Sequence, residues 1–227
     1  PMSRLLFLMI VMLFSTAVIA ESVLDNFEVR QYRPQNVGLK DLVAQIRIDG
    51  LTEALNKELI YGTLTDVYFT LYWQLPNQLI VDVNGLPEGF IERRAILSSA
   101  IYSLASYFFS LTPSDYIKGL PVTVAKEGSN TVLQAKDPTG KMVISNIEYT
   151  FNAAGIWQKM VTVGSGVAQT INYSFTTPAW AKNKLVLTSN EIEQIQGVFK
   201  VQSKSQITYD NVQGIGLPKT ITVTTQT

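Results

Sequence analysis

The sequence predicts a mainly β fold, an antiparallel, unclosed β-barrel (half-barrel) wrapped around one central helix. Three observations predict it. Segments of alternating polarity recur along the chain, turn signals separate them at short and regular spacing, and one apolar segment with helical periodicity interrupts them. The 227 residues include no cysteine, so the hydrophobic core must hold this fold without disulfides.

Three strands are predicted before the helix. Apolar and polar residues alternate over 39–48, which is typical of a half-buried strand, and Asp49-Gly50 supplies the turn that ends it. A second strand is predicted over 59–73, and a third over 79–83. The hairpin signal Asn84-Gly85 ends the third strand.

A change of period predicts the central helix. Over 89–110, leucine, isoleucine and phenylalanine recur at helical spacing, and no charged residue occurs between Ala95 and Ser110. Pro113 stands where such a helix ends. A helix this apolar is predicted to be buried inside the curved sheet. The alternative is an ordinary core helix on one face of a flat sheet.

After Pro121 the chain becomes a meander of short alternating segments. Turn sequences separate them, among them Asp137-Pro138-Thr139-Gly140. Strands at this regular spacing predict an antiparallel sheet that curls into a barrel or half-barrel. No linker or repeat divides the chain, so residues 21–227 are predicted to form a single domain. The predicted strands of the meander are 122–126, 131–136, 142–151, 156–163, 168–175, 184–189, 198–209 and 219–225.

The first twenty residues are typical of a secretory signal peptide. Arg4 is followed by the apolar run 5–14 and by a stretch of small residues that ends at Ala20, the predicted cleavage site. A membrane anchor is the alternative, but this run is shorter than the roughly 20 residues that span a bilayer. Glu21 stands where a lipoprotein needs cysteine, so the mature protein is predicted to be soluble and periplasmic. Residues 21–31 are predicted to be a helical turn that leads into the body.

The composition argues against catalysis and against nucleic acid as a partner. The chain has 18 basic and 18 acidic residues, so its net charge gives no electrostatic footprint for nucleic acid or an anionic membrane, and it has no histidine. Ser165 lies in a turn without a general base, and Glu148, Asp115 and Asp210 are predicted to be solvated strand or turn residues. The prediction is a protein that is not an enzyme and needs no cofactor or metal.

Three stretches then resemble a known family. Residues 71–77 form an aromatic-x-x-Pro-Asn corner, Phe90-Ile91-Glu92 opens the central helix, and residues 209–219 are similar to a closing hairpin. In this order they resemble the periplasmic lipoprotein carrier (LolA-like) family and related outer-membrane lipoprotein-sorting proteins. The resemblance implies an unclosed β-barrel with helices as a lid, around a hydrophobic cavity that takes acyl chains. The family's Arg before the Pro, which is tied to lid movement, is Leu75 here.

The resemblance and the apolar excess of the strands together imply a function. The prediction is a monomeric periplasmic carrier of a lipid or acylated lipoprotein, for lipoprotein sorting or lipid transport, with an inner-membrane donor and an outer-membrane acceptor as partners. The alternative is a non-catalytic envelope protein-interaction module whose barrel is filled and whose binding turns include 136–141. The predicted cavity lining is Phe69, Leu71, Trp73, Leu97, Ile101, Leu104, Phe108, Ile147, Tyr149 and Phe151.

Overall fold

A computed structural model of the chain describes residues 18–76, 78–109 and 112–226. The described chain divides into two compact units: the first comprises residues 18–32 and 112–226, the second residues 33–76 and 78–109. Most of the predicted signal peptide lies outside the described residues. The prediction of a mainly β protein with antiparallel sheets is confirmed.

The second unit is a small antiparallel sheet with two helices. Its strands are β1 (Asp41–Ile46), β2 (Tyr68–Gln74) and β3 (Gln78–Asn84), in the order β1-β2-β3. Helix α2 (Leu51–Glu58) lies between β1 and β2 in the chain, and α3 (Ile91–Leu104) follows β3. Short 3-10 helices stand at Pro34–Val37 and Ala105–Tyr107.

The first unit is one eight-stranded antiparallel sheet with two helices. Helix α1 occupies residues 18–30, and α4 spans Pro113–Ile117. The strands follow each other in the sheet as they do in the chain, so the unit is a meander, and a 3-10 helix at Ala179–Ala181 separates two of them. The strands are β4 (Val122–Glu127), β5 (Asn130–Lys136), β6 (Asn146–Phe151), β7 (Trp157–Gly164), β8 (Val167–Thr176), β9 (Val186–Gln196), β10 (Phe199–Val212) and β11 (Ile215–Gln226).

One row of register partners crosses the whole eight-stranded sheet and shows where its core lies. Partners in such a row share a face of the sheet, because successive side chains of a strand point to opposite faces. On β10 and β11 the row ends in Ser203 and Thr225, which are polar. From β4 to β9 it is apolar throughout: Val124, Leu133, Tyr149, Met160, Ile171 and Ile192.

The segment before β2 differs from its prediction. A strand was expected from residue 59, but β2 begins at Tyr68, and the helix α2 was not expected at all. The backbone of the connector is bound to side chains of α2. Asn56 donates to the Leu64 carbonyl oxygen at 2.9 Å and accepts from the Leu64 amide at 2.7 Å, and Thr52 Oγ1 accepts from the Val67 amide at 3.0 Å. The backbone groups of Leu64 and Val67 are therefore bound to side chains instead of a neighbouring strand.

Strand β9 is longer than predicted. It was expected to end at residue 189, but it continues to Gln196. This extension carries two ion pairs to β10, Glu191–Lys204 at 2.7 Å and Glu193–Lys200 at 2.8 Å. Its hydrophobic alternation is weak because polar residues occur on both faces and Ile192 and Ile195 lie on opposite faces, so periodicity alone ended the strand too early.

The predicted central helix is present as α3 in the second unit. Within the predicted range 89–110, the α-helical part is α3, and α3 packs on β3 in the second unit. Arg94 anchors it by donating to the carbonyl oxygens of Val83 and Leu86. The helical residues in the core of the eight-stranded sheet come from α1 and α4 instead. That the half-barrel wraps around the central helix stays a prediction.

Candidate binding site on the eight-stranded sheet

Four aromatic rings meet where α1 packs on the eight-stranded sheet. The ring centroid of Phe27 lies 5.9 Å from that of Phe151, 6.0 Å from that of Trp157 and 5.4 Å from that of Phe175. All three contacts are edge-to-face, the arrangement that aromatic quadrupoles favour. Phe27 has no exposed surface. This helical side chain is therefore the centre of an aromatic site on β6, β7 and β8.

A second group of rings extends the site and adds one polar atom. Trp157 lies 5.2 Å from Tyr149 and 4.2 Å from Tyr173, measured between ring centroids. The Tyr149 hydroxyl donates to the Pro113 carbonyl oxygen at 3.0 Å. Burial raises the pKa of Tyr149 far above its ordinary value, so this hydroxyl stays neutral at any physiological pH. The Tyr149 hydroxyl thus adds a polar atom to the site but no charge.

Helix α1 is attached to the rest of the first unit by hydrogen bonds at the C-terminal end of the helix. Arg30 Nη1 donates to the Ala154 carbonyl oxygen at 2.8 Å, and the Arg30 carbonyl accepts from the Leu185 amide at 2.7 Å. Glu28 Oε1 accepts from the Ser114 amide at 2.8 Å. Further up the helix, Ala20, Leu24 and Phe27 contribute apolar packing to the core.

The ten predicted lining residues are divided between the two units. Three of them, Ile147, Tyr149 and Phe151, alternate along β6 and belong to the aromatic site. The other seven belong to the second unit, where Trp73 stacks on Phe109 at a centroid distance of 4.3 Å. These seven are all buried except the half-buried Leu104: Phe69, Leu71, Trp73, Leu97, Ile101, Leu104 and Phe108.

Sequence reasoning missed the helical half of the aromatic site. Ala20, Leu24 and Phe27 follow an i, i+4, i+7 spacing, which is one face of an amphipathic helix. The signal was present, but the predicted cleavage after Ala20 divided it between two segments. Trp157 and Phe175 were inside predicted strands and were not assigned to the site.

The acidic residues considered for catalysis have structural partners. Asp115 closes a capping box with Thr112 at the start of α4, where its carboxylate accepts from the Thr112 amide at 2.9 Å. Glu148 accepts from Gln134 at 2.8 Å, and Asp210 pairs with Lys219 at 3.3 Å. Ser165 Oγ donates to the Val143 carbonyl oxygen at 3.2 Å. Within the described ranges, no three acidic groups cluster as metal ligands would.

Two open cavities lie on the eight-stranded sheet. One, of about 350 Å³, is on a polar face formed by β8 to β11 and includes Glu191, Gln202 and Lys204. The other, of about 430 Å³, lies near the β7–β8 turn and includes Val163, Ser165 and Ile195. None of the helices among residues 18–76, 78–109 and 112–226 is long and apolar enough to cross a bilayer. No family model, curated protein or solved structure matches the chain.

Proposed function

We propose that the protein is a non-catalytic carrier that binds an acyl chain or a similar apolar ligand on the aromatic site of its eight-stranded sheet. One observation carries the proposal: six adjacent strands present a continuous apolar row, and α1 inserts Phe27 among the aromatic rings beside it. An acyl chain makes the same non-directional contacts as the apolar side chains of α1. Such a ligand therefore fits the chemistry of this face.

The polar groups of the site support the same ligand class. The hydroxyl of Tyr149 is neutral and bound to Pro113, so it presents no charge that a ligand would have to neutralise. The long apolar part of a lipid satisfies that condition, whereas a charged or strongly polar ligand does not. Because α1 is hydrogen-bonded at its C-terminal end, we propose that the helix moves at its N-terminal end when ligand enters.

The same proposal includes the export, location, oligomeric state and partners of the carrier. It comprises export by a cleaved signal peptide, a periplasmic location, a monomeric state and an unclosed half-barrel like that of the periplasmic lipoprotein carriers. Acylated lipoprotein or free lipid is the proposed cargo, passed from an inner-membrane donor to an outer-membrane acceptor. The order of elements along the chain and the meander of eight strands support this setting.

Native mass spectrometry on protein purified from the periplasm without detergent tests the carrier. We expect an added mass of lipid or acylated-peptide size, and uptake of a fluorescent fatty acid by ligand-free protein. Ile192→Lys puts a charge at the partly buried margin of the site and should reduce uptake about tenfold or more. Val212→Lys, at a half-exposed position at the far end of β10, is the matched control and should bind like wild type. Absence of both bound mass and uptake contradicts the carrier.

A second candidate is a protein-interaction module of the cell envelope. The observation that favours it is that nine of the ten predicted lining residues are buried and packed. A filled interior leaves the exposed turns, such as residues 136–141, as binding elements. Here we expect a ligand-free mass and a specific protein partner in periplasmic crosslinking. Crosslinking that recovers no partner counts against this candidate.

A further inference from the structure

One end of the eight-stranded sheet presents large apolar side chains to solvent. At the β9–β10 turn, Val198 is 94% exposed and Phe199 is 75% exposed. In the loop before β6, Met142, Val143 and Ile144 are consecutive exposed apolar residues, and Val143 is 74% exposed. We name these five residues the apolar sheet end. Exposed apolar groups that cluster in this way mark interaction surfaces.

Strand register shows that the loop and the turn lie at the same end of the sheet. Val163 of β7 pairs with Ala168, which pairs with Ile195, which in turn pairs with Lys200 of β10. Neighbouring strands are about 4.8 Å apart, so β7 and β10 are separated by about 14 Å. The loop is joined to β7 because Ser145 donates to the Val163 carbonyl oxygen at 2.9 Å through both its amide and its hydroxyl.

Hydrogen bonds fix the loop in this position. Asp137 Oδ1 accepts from the Thr139 amide and Asp137 Oδ2 from the Met142 amide, both at 2.8 Å. On the other side, Ser165 Oγ donates to the Val143 carbonyl oxygen. Gly164 allows this approach, since a Cβ atom there would lie 2.0 Å from the same carbonyl oxygen. The apolar loop is therefore held outward by its backbone contacts.

Lysines flank both apolar segments. Lys141 immediately precedes Met142, and Lys200 immediately follows Phe199. Lys136, at the end of β5, is exposed like Lys141, and neither forms an ion pair within the part of the chain that the structure describes. Apolar side chains with adjacent lysines complement a surface that is apolar below and anionic above, as an anionic phospholipid leaflet is.

We propose that the apolar sheet end docks on anionic phospholipid membranes, with Val198, Phe199 and Val143 entering the interface and Lys136 and Lys141 contacting headgroups. The apolar residues project from turn tips, where a fluid bilayer accepts them without a matching pocket. A folded protein partner would need such a pocket for each tip. The inference rests on the sheet end alone and is independent of any cargo on the aromatic site.

A dye on an engineered cysteine tests the proposal directly, because the chain has no cysteine of its own. Val198→Cys carries an environment-sensitive dye at the apolar sheet end, and Val212→Cys carries it at the other end of β10. With vesicles of phosphatidylglycerol and phosphatidylcholine, we expect a blue shift at residue 198 and none at residue 212. Equal responses at both positions, or none at 198, overturn the proposal.

Vesicle sedimentation with full-length protein from the periplasm supplies the second measurement. The double variant Val198→Asp with Phe199→Asp should bind these vesicles at least about tenfold more weakly than wild type. Lys141→Glu should also weaken binding, and its binding should depend less on salt. Val212→Asp, an equal change at an exposed valine, should leave binding unchanged. These exposed positions tolerate the changes, and circular dichroism verifies folding. The membrane assignment is overturned if the double variant binds vesicles like wild type. It is also overturned if the double variant loses a protein partner while its vesicle binding is unchanged.

Discussion

Gly216 lies directly against the indole ring of Trp180. A Cβ atom at residue 216 would stand 2.1 Å from Cζ3 of that ring, far inside van der Waals contact. The Gly216 amide also donates to the Tyr32 hydroxyl at 2.7 Å, and Tyr32 packs edge-to-face on Trp180 at 5.0 Å. The Tyr32 side chain therefore joins the segment after α1 to the start of β11.

Gly216→Ala should destabilise the protein by about 1–3 kcal/mol, because the methyl group forces the indole or the strand to shift. The measurement is the urea midpoint of unfolding. Gly89→Ala is the control, since nothing lies within 4 Å of its added Cβ, and we expect a change within about 0.5 kcal/mol. Equal midpoints for the two variants would contradict the close packing at residue 216.

Phe27→Ala should be among the most destabilising single changes in the chain. It removes a fully buried ring that contacts three other aromatic rings, and such truncations cost about 3–5 kcal/mol. Val29→Ala on the same helix changes an exposed side chain and should cost less than about 0.5 kcal/mol. Chemical denaturation compares the two. A small effect of Phe27→Ala would show that α1 does not pack on the sheet in solution.

Asn56→Ala should loosen the connector between α2 and β2. The variant loses both hydrogen bonds to Leu64, and we expect a cost of about 1–3 kcal/mol with faster amide exchange at Leu64. Asn56→Asp keeps the acceptor for the Leu64 amide but loses the donor, so its effect should be intermediate. Lys57→Ala, at the next and exposed position, is the neutral control. Unchanged exchange at Leu64 in Asn56→Ala would refute this role.

The loop at residues 137–142 should be insensitive to pH over most of the acid range. The hydroxyl of Thr139 and the amides of Met142 and Thr139 donate to the Asp137 carboxylate, and they lower its pKa from 3.8 to about 2. Because the folded pKa lies below the unfolded one, the stabilisation is present above about pH 4 and is lost as pH falls towards 2. The Met142 amide chemical shift should titrate with a midpoint near 2.

Asp137→Asn provides the control for that titration. The amide keeps an oxygen acceptor but carries no titrating proton, so the Met142 shift should become flat between pH 2 and 5. A wild-type midpoint at the ordinary carboxyl value near 3.8 would contradict the hydrogen bonding of the loop.

The strands were predictable because their side chains alternate. Ile147, Tyr149 and Phe151 follow a period of two along β6, so both the strand and its part of the aromatic site could be assigned from sequence. Helix α2 was missed because it has only eight residues, and Leu51 and Leu55, one turn apart, are too few to establish a helical period. The strand on which each helix packs is decided by tertiary contacts, so the packing of α3 on β3 could not be predicted from its period.

If the chain is cleaved after Ala20, as we propose, the position of Ala20 limits when cleavage can occur. Residues 18–20 are helical, and the side chain of Ala20 is 4% exposed in the core of the first unit. A protease needs an accessible and locally unfolded bond, which a packed helix does not offer. With cleavage after Ala20 as predicted, processing must come before α1 settles on the sheet. Folding and processing then compete for the same residue, and the faster of the two decides which N-terminus the protein keeps.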